Sequence, residues 1–330
     1  MPGASDEFDW IASLRALTLG DRRALDLADD AAVLPTRPGL DLVISTDAMV
    51  EGVHFLAGEA PELVARRLLR TSLSDLAAKA ADPFGYLLVI AWPPGRDAAY
   101  RDSFRRGLEA DGRAFGIALL GGDTVSTPGP LTLNATVFGW AEAGKTVLRS
   151  GARAGDCLVV CGQIGDGFLG LKAARGEIAD PGGGLAERYR LPRPLFELRD
   201  ALRGHAKAAA DISDGLLADA GHVAEASGLG LTIELLDLPL SAPAQAWCAG
   251  QADEVEARLV LAAGGDDYSL VCAVAPAELT MFVAAVEAAA VPVRLAGRFE
   301  KTPGLRATAR GRDVPLPKLG WRHSDTTIDR

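Results

Sequence analysis

Cysteine is scarce: Cys157, Cys161, Cys248 and Cys272 are the only four in 330 residues, all in apolar runs and none in a Cys-x-x-Cys pair. That spacing excludes a zinc ribbon and a disulfide framework, and predicts reduced, buried thiols in a cytosolic protein. Histidine is as rare, with four in the chain, which leaves little for imidazole-based acid-base chemistry. Basic residues fall short of acidic ones, 34 against 44, for a formal net charge of −10. Nucleic acid and anionic membrane, which attract basic surfaces, are therefore poor partners, and divalent cations are better ones. No apolar run approaches the roughly 20 residues of a membrane helix, and the opening "MPGASDEFDW" has no apolar signal core. A cytoplasmic location is expected.

What the chain does have is length and alternation. A sequence of 330 residues, 48% hydrophobic and 24% charged, suggests about two globular domains. Strand-like runs ("LDLVIST", "YLLVIAW", "IALLGGD", "LTLNATVFGW") alternate with helical ones ("PELVARRLLRTSLSDLAAKAA" and a helix at 100–115) up to about residue 148. A second α/β unit starts at "CLVVCG". It continues through a helix at 168–175, a loop "ADPGGGLAERYRLPRP", the helix "SDGLLADAGHVAEAS", the strands "LTIEL" and "YSLVCAV", and the helix "AELTMFVAAVEAAA". The reading is a mixed α/β protein with domains 1–148 and 149–330, divided at the turn "RSGARAGD". Beyond residue 298 the chain reads as polar and irregular.

"GWAEAGKT" at 139–146 fits the phosphate-loop pattern. A working phosphate loop needs a helix immediately after it, to supply amides and a dipole to the phosphates. The following "VLRSGARAGDCLVVC" has two glycines, a β-branched residue and another strand run instead. Residues 141–145 therefore read as a polar turn, and any phosphate chemistry lies elsewhere.

The aspartates are more informative. Apolar runs taken as strands end in turns holding Asp47, Asp123, and the Asp266–Asp267 pair; Asp29 and Asp30 precede another apolar run; Asp211 and Asp214 sit at a helix start. Each has an ordinary alternative. Ser213 or Asp214 could cap the helix that follows, and Gly-Gly-Asp is common turn chemistry. Asp75 lies on a helix among Leu73, Leu76 and Ala77, so it is paired or ligating if buried, with Lys79 as the simple partner. Converging carboxylates would repel by roughly 4 kcal/mol per pair at 4 Å, and would need a cation. A set of Asp, Ser and Thr oxygens suits Mg²⁺, completed by water and substrate phosphates.

"STDAMVEGVHF", "SLSDLAAKAADP", "LLGGDTV", "LRSGARAGD", "DISDGLLADAGHVAEASG" and "GGDDYSL" occur in the order and spacing of bacterial thiamine-monophosphate kinases. The resemblance runs from about residue 26 to 321. It implies the two-domain fold of the aminoimidazole ribonucleotide synthetase superfamily, with an N-terminal domain that binds ATP and magnesium and forms a homodimer through its sheet, and a C-terminal α/β domain with a substrate-contacting tail. It implies ATP-dependent phosphorylation of thiamine monophosphate to thiamine diphosphate, the last step of thiamine diphosphate biosynthesis. By the same resemblance Asp30, Thr46, Asp47, Asp75, Asp123, Asp211 and Asp214 are magnesium ligands; Gly122, Asp123, Arg149 and Ser213 contact ATP; and His54, Asp266 and Trp321 contact the substrate. The turn "GWAEAGKTVLRSG" then serves to deliver Arg149. Two departures stand out: Ala28 replaces the usual Gly before the first Asp pair, so that residue must avoid positive φ, and Asp266 replaces the usual Glu.

The expected mechanism is in-line phosphoryl transfer, governed by positioning and charge neutralisation, with no covalent or general-base residue because the attacking phosphate oxygen is already anionic. Two rivals are another ATP-using enzyme of the superfamily and a non-catalytic nucleotide-binding module. A selenophosphate-forming synthetase would carry a reactive Cys near the N-terminus, and none precedes Cys157. A sensor would be expected to have lost acidic ligands, and the motif aspartates are all present.

Overall fold

The computed structural model describes residues 4–316 and 319–320. The chain divides into two compact units, Met1–Leu76 with Ala81–Gly144, and Ala77–Ala80 with Lys145–Arg330. The first contains α1 (Ala4–Leu14), β1 (Leu40–Val50), most of α2 (Pro61–Ala78), β2 (Asp82–Trp92), α3 (Ala98–Phe115), β3 (Ala118–Ser126) and β4 (Thr132–Glu142). Its sheet has the order β1-β4-β2-β3, with β1 and β2 antiparallel to β4 and β2 parallel to β3.

Alternation into and along β4 builds the core here: Leu131 just before the strand, and Leu133, Ala135 and Val137 within it, are completely buried. Leu68, Leu69, Leu73 and Leu76 of α2, and Phe104 and Leu108 of α3, are buried with them. Asp97 caps α3 by accepting from the Tyr100 amide, and Gly116 ends that helix at φ +66°. The opposite sheet face is covered only in part. A 3₁₀ segment, Arg22–Leu27, and its sequel pack Ala24, Leu27, Ala32 and Leu34 against Phe84, Phe138 and Trp140, while Leu42, Ile44, Val89 and Val125 stay 38–55% exposed. Ala28 closes the segment at φ −109°, while Leu25, Asp26 and Leu27 before it take left-handed backbone.

The second unit contains β5 (Cys157–Cys161), α4 (Asp166–Ala174), α5 (Gly184–Arg190), α6 (Arg199–His205), β6 (Ala206–Asp211), α7 (Leu216–Ala226), β7 (Gly230–Glu234), α8 (Ala242–Ala249), α9 (Glu254–Ala262), β8 (Leu270–Val274), α10 (Leu279–Ala288), β9 (Val293–Glu300), β10 (Gly304–Ala309) and β11 (Arg312–Val314). The sheet order is β11-β10-β7-β9-β5-β8-β6. Both faces are covered, as β5 shows: Leu158 and Val160 enter one apolar cluster, and Cys157, Val159 and Cys161 the other. All four cysteines are buried and unbridged.

Three sequence expectations need correction. The loop predicted at 179–194 holds α5, whose Leu185, Ala186 and Tyr189 are buried by packing that local composition does not reveal. "LVLAA" belongs to α9 rather than a strand; Asp253 caps that helix on the amides of Val255 and Glu256, a start signal that outweighs the short apolar run. The region after 298 is ordered rather than irregular up to Val314: β10 pairs parallel with β7 and antiparallel with β11. Its alternating small and polar residues give a weak strand signal, and register with β7 decides the structure.

Candidate active site

In the first unit, β1 presents neighbouring residues to opposite faces. Thr46 faces outward, where its Oγ1 lies 2.9 Å from Thr136 Oγ1 and accepts from Asn134 Nδ2 at 3.0 Å. Ser45 and Asp47 face α2, and Ser45 Oγ donates to Asp75 Oδ2 at 2.5 Å. Burial, and then the charge of Asp75, pushes the Asp47 carboxyl up to about 6 against a hydrogen bond from Ser72. Two carboxylates share this inner pocket, an arrangement that a hard cation would relieve. Ser45 and Ser72 escaped the sequence reading, although Ser45 stands two residues before Asp47 on the same strand face.

Asp47 and Asp123 do not lie in turns, as the sequence suggested, but inside strands. β1 stays paired with β4 to Val50, and β3 with β2 to Ser126, because β-branched residues follow each aspartate's run and the ladders continue past it. Asp123 shares a row with Val89 and Asn134 on the outward face, on the β3 edge of the sheet. Before it, Gly122 lies so close to β2 that a Cβ would stand 1.9 Å from the Leu88 carbonyl oxygen, so only glycine fits. Gly122, Asp123, Asp29 and Asp30 line one cavity of about 740 Å³, whose other walls include Leu14, Leu34, Leu87 and Phe138. His54 follows β1 in a turn; its Nδ1 accepts from the Val50 amide at 3.0 Å, which leaves the ring proton on Nε2.

In the second unit, β6 ends at buried Asp211, and the loop to α7 carries Ser213 and Asp214. Neither of these caps α7 through its side chain. Asp219, in the first turn of the helix, reaches back to the loop instead: its Oδ2 accepts from the amides of Ser213, Asp214 and Gly215 at 3.0, 3.0 and 3.2 Å. Burial and the Asp214 charge raise its carboxyl to about 7, with Arg149 among the opposing influences. Asp219 also escaped the sequence reading; an aspartate inside a first helical turn is the available signal.

The loop 263–269 packs on this one, with the Asp266 amide donating to Ser213 O and the Tyr268 amide to Ile212 O, both at 2.8 Å. Asp266 has φ +64°, and its Oδ1 accepts from the Tyr268 hydroxyl at 3.2 Å. Asp267 accepts from the amides of Gly165 and Gly167, and burial raises its carboxyl to about 8. Arg149 is exposed in an irregular segment, next to Leu148, whose carbonyl accepts from the Ala209 amide at 2.9 Å. Lys145 is exposed, and no helix follows 139–146 before α4. The phosphate-loop pattern is therefore a strand end and a turn, in which the Gly144 amide donates to Asp41 Oδ2. Trp321 lies outside the described residues.

Within each unit, among the described residues, no three Asp, Glu, His or Cys side chains gather into a metal cage. The arrangement is one of acidic pairs and acidic loops that need ligand oxygens from elsewhere, as magnesium sites commonly do.

Comparison with known proteins places this geometry. Residues 28–141 match the family described as AIR synthase related protein, N-terminal domain, and residues 153–310 its C-terminal domain. The thiamine-monophosphate kinase of Caulobacter vibrioides is 59% identical over 318 residues, covering 96% of this chain and 90% of that protein. The crystal structure of thiamine-monophosphate kinase from Stenotrophomonas maltophilia K279a superposes with a TM-score of 0.82 at 31% identity, covering 93% of this chain and 98% of that one. A structure described as AaThiL complexed with AMPPCP and TMP superposes with a TM-score of 0.76 at 27% identity over 96% of each chain. With both superfamily domains in order and this level of identity across nearly its whole length, the chain belongs to the thiamine-monophosphate kinase family.

Proposed function

We propose that this chain transfers the γ-phosphoryl group of ATP to thiamine monophosphate, giving thiamine diphosphate and ADP. The observation that carries the reading, beyond family membership, is the Asp47–Asp75 pair. Two carboxylates in one pocket, with Asp47 pushed up to about 6, make a site whose charge is unbalanced without a cation. Its all-oxygen surroundings fit Mg²⁺.

Asp30, Thr46, Asp47, Asp75 and Asp123 of the first unit, and Asp211 and Asp214 of the second, would hold the magnesium ions. Bound magnesium supplies charge neutralisation on the phosphates. The Gly122 backbone admits a phosphate close to β3, Ser213 and Arg149 contact ATP, and His54 and Asp266 contact thiamine monophosphate, as Trp321 does by motif. The acceptor phosphate is already anionic near neutral pH, so orientation and desolvation rather than a base govern the rate.

The working state is a homodimer built on the outward sheet face. Leu42, Ile44, Val89 and Val125 on that face support it. So does the placement of two outward-facing ligands: Thr46 is on edge strand β1 and Asp123 on the opposite edge strand β3. Three strand spacings, about 14 Å, separate them, too far for one ion. A second copy brings its own β3 edge to β1. The reduced, buried thiols support a cytoplasmic location.

Incubation with thiamine monophosphate, ATP and Mg²⁺ should yield thiamine diphosphate and ADP in equal amounts, and chelation should stop it; ADP without thiamine diphosphate would overturn the reading. Thr46→Val and Asp123→Asn chains, each close to inactive alone, should recover about a quarter of wild-type activity on subunit exchange if one site draws on both copies. No recovery in verified mixed dimers would confine the site to a single copy.

A further inference from the structure

The loop 213–215 has an unusual support. Gly215, at the N-cap position of α7, has φ +127° and ψ +149° and offers no side chain, and neither Ser213 nor Asp214 turns back to cap the helix. Three successive amides just ahead of a largely buried helix start would be left without a partner, which is costly for buried donors. The single Oδ2 of Asp219 takes all three. Asp219 is 3% exposed, and Leu216, Leu217 and Ala220 beside it are completely buried, so the carboxylate is fixed from below by the core. Asp219 therefore fixes the loop's own amides from a position that cannot reach a ligand, without drawing on the side chains of Ser213 and Asp214. Their own side chains are left for one. The loop is closed from the other side by the Asp266 amide, which donates to Ser213 O.

We infer that Asp219 is a positioning residue, which holds the 213–215 loop in the conformation that presents Ser213 and Asp214 to the nucleotide and its metal. This rests on the reading of those two residues given under Proposed function. The carboxylate touches no reacting atom; it acts through three backbone amides, much as an outer-layer partner orients a metal ligand.

The test uses the full-length dimer. Wild-type turnover is established first, since a chain that makes no thiamine diphosphate sinks the functional reading itself, and this inference with it. In an active background, Asp219→Ala should raise the KM for ATP or lower kcat/KM for ATP by about 10- to 100-fold, with KM for thiamine monophosphate unchanged within about threefold. Amide exchange of residues 213–215 should quicken in parallel. Asp219→Asn, which keeps an acceptor oxygen, should recover most of the loss. Should Asp219→Ala fail to fold, Asp219→Glu keeps the charge but displaces the acceptor by one methylene, and should show the same ATP-selective loss. ATP parameters within threefold of wild type in the folded Ala or Glu variant would overturn the inference. So would equal losses for both substrates, or an Asn variant as impaired as Ala at unchanged melting temperature, which would mark a charge effect instead.

Discussion

The backbone N–H of Asp266 donates to the carbonyl of Ser213 at 2.8 Å, so that two motif loops, far apart in sequence, form one surface. Asp266 sits there at φ +64°, a backbone region that aspartate enters more readily than glutamate does. The shorter side chain at this position is thus compatible with its backbone, and the Tyr268 hydroxyl holds its carboxylate.

Tyr268→Phe should therefore raise KM for thiamine monophosphate about fivefold, the worth of roughly 1 kcal/mol of hydrogen bonding, and leave KM for ATP unchanged. Steady-state kinetics with each substrate varied in turn decide it. An unchanged KM for thiamine monophosphate would show that the hydroxyl has no part in orienting Asp266 for substrate.

Asp47→Asn should abolish turnover yet stabilise the metal-free protein above pH 6. The sign follows from the raised carboxyl. With a folded value of about 6 against an ordinary 3.8, ionisation costs folding energy, so this group's penalty is absent below about pH 4, grows up to about pH 6, and is constant above. The gain is on the order of 3 kcal/mol. Melting temperatures in chelator across pH 4–8 should diverge upward for the variant as pH rises; a variant less stable at pH 8 would make Asp47 chiefly a structural acceptor.

Lys145→Ala should be nearly silent, whereas Arg149→Ala should cost at least tenfold in kcat/KM for ATP, comparable to losing an electrostatic contact. The exposed Lys145 follows a turn with no helix behind it. A loss of about 10²-fold for Lys145→Ala would restore a phosphate-loop role to 139–146.

Gly320→Ala should selectively raise KM for thiamine monophosphate. A Cβ there would stand 2.6 Å from the Ala218 Cβ and 2.8 Å from the Asp214 carbonyl oxygen, so the tail would have to lift away from α7. Trp321 follows directly. Unaltered kinetics would separate the tail from the substrate site.

The sequence reads well where local chemistry is decisive and poorly where packing is. Strict alternation announced β4, and a long amphipathic pattern α2, because a half-buried strand and a helix face each impose their own period. The motif aspartates could be found without coordinates, but not which way they face: Thr46 and Asp47 are adjacent in sequence yet lie on opposite sides of a sheet. β6, read as "AKAAAD", has almost no strand propensity and is placed by its pairing with β8. Asp219 was passed over for another reason. Aspartates in a first helical turn are common, and only the fold shows that this one reaches back to three amides.

The division of the chain at Ala77–Ala80 has a consequence for biosynthesis. Ala78 and Ala80 are completely buried in an apolar cluster with Cys157, Leu198, Leu202 and Phe282, and the Lys79 ammonium donates to the Ala209 carbonyl. These four residues leave the ribosome long before the strands that enclose them exist. The end of the helix that carries Asp75 therefore stays uncovered until most of the second unit has been made, and a fragment cut at residue 144 leaves each half with an open seam. Separately expressed halves should aggregate or stick to chaperones, and should regain solubility when synthesised together.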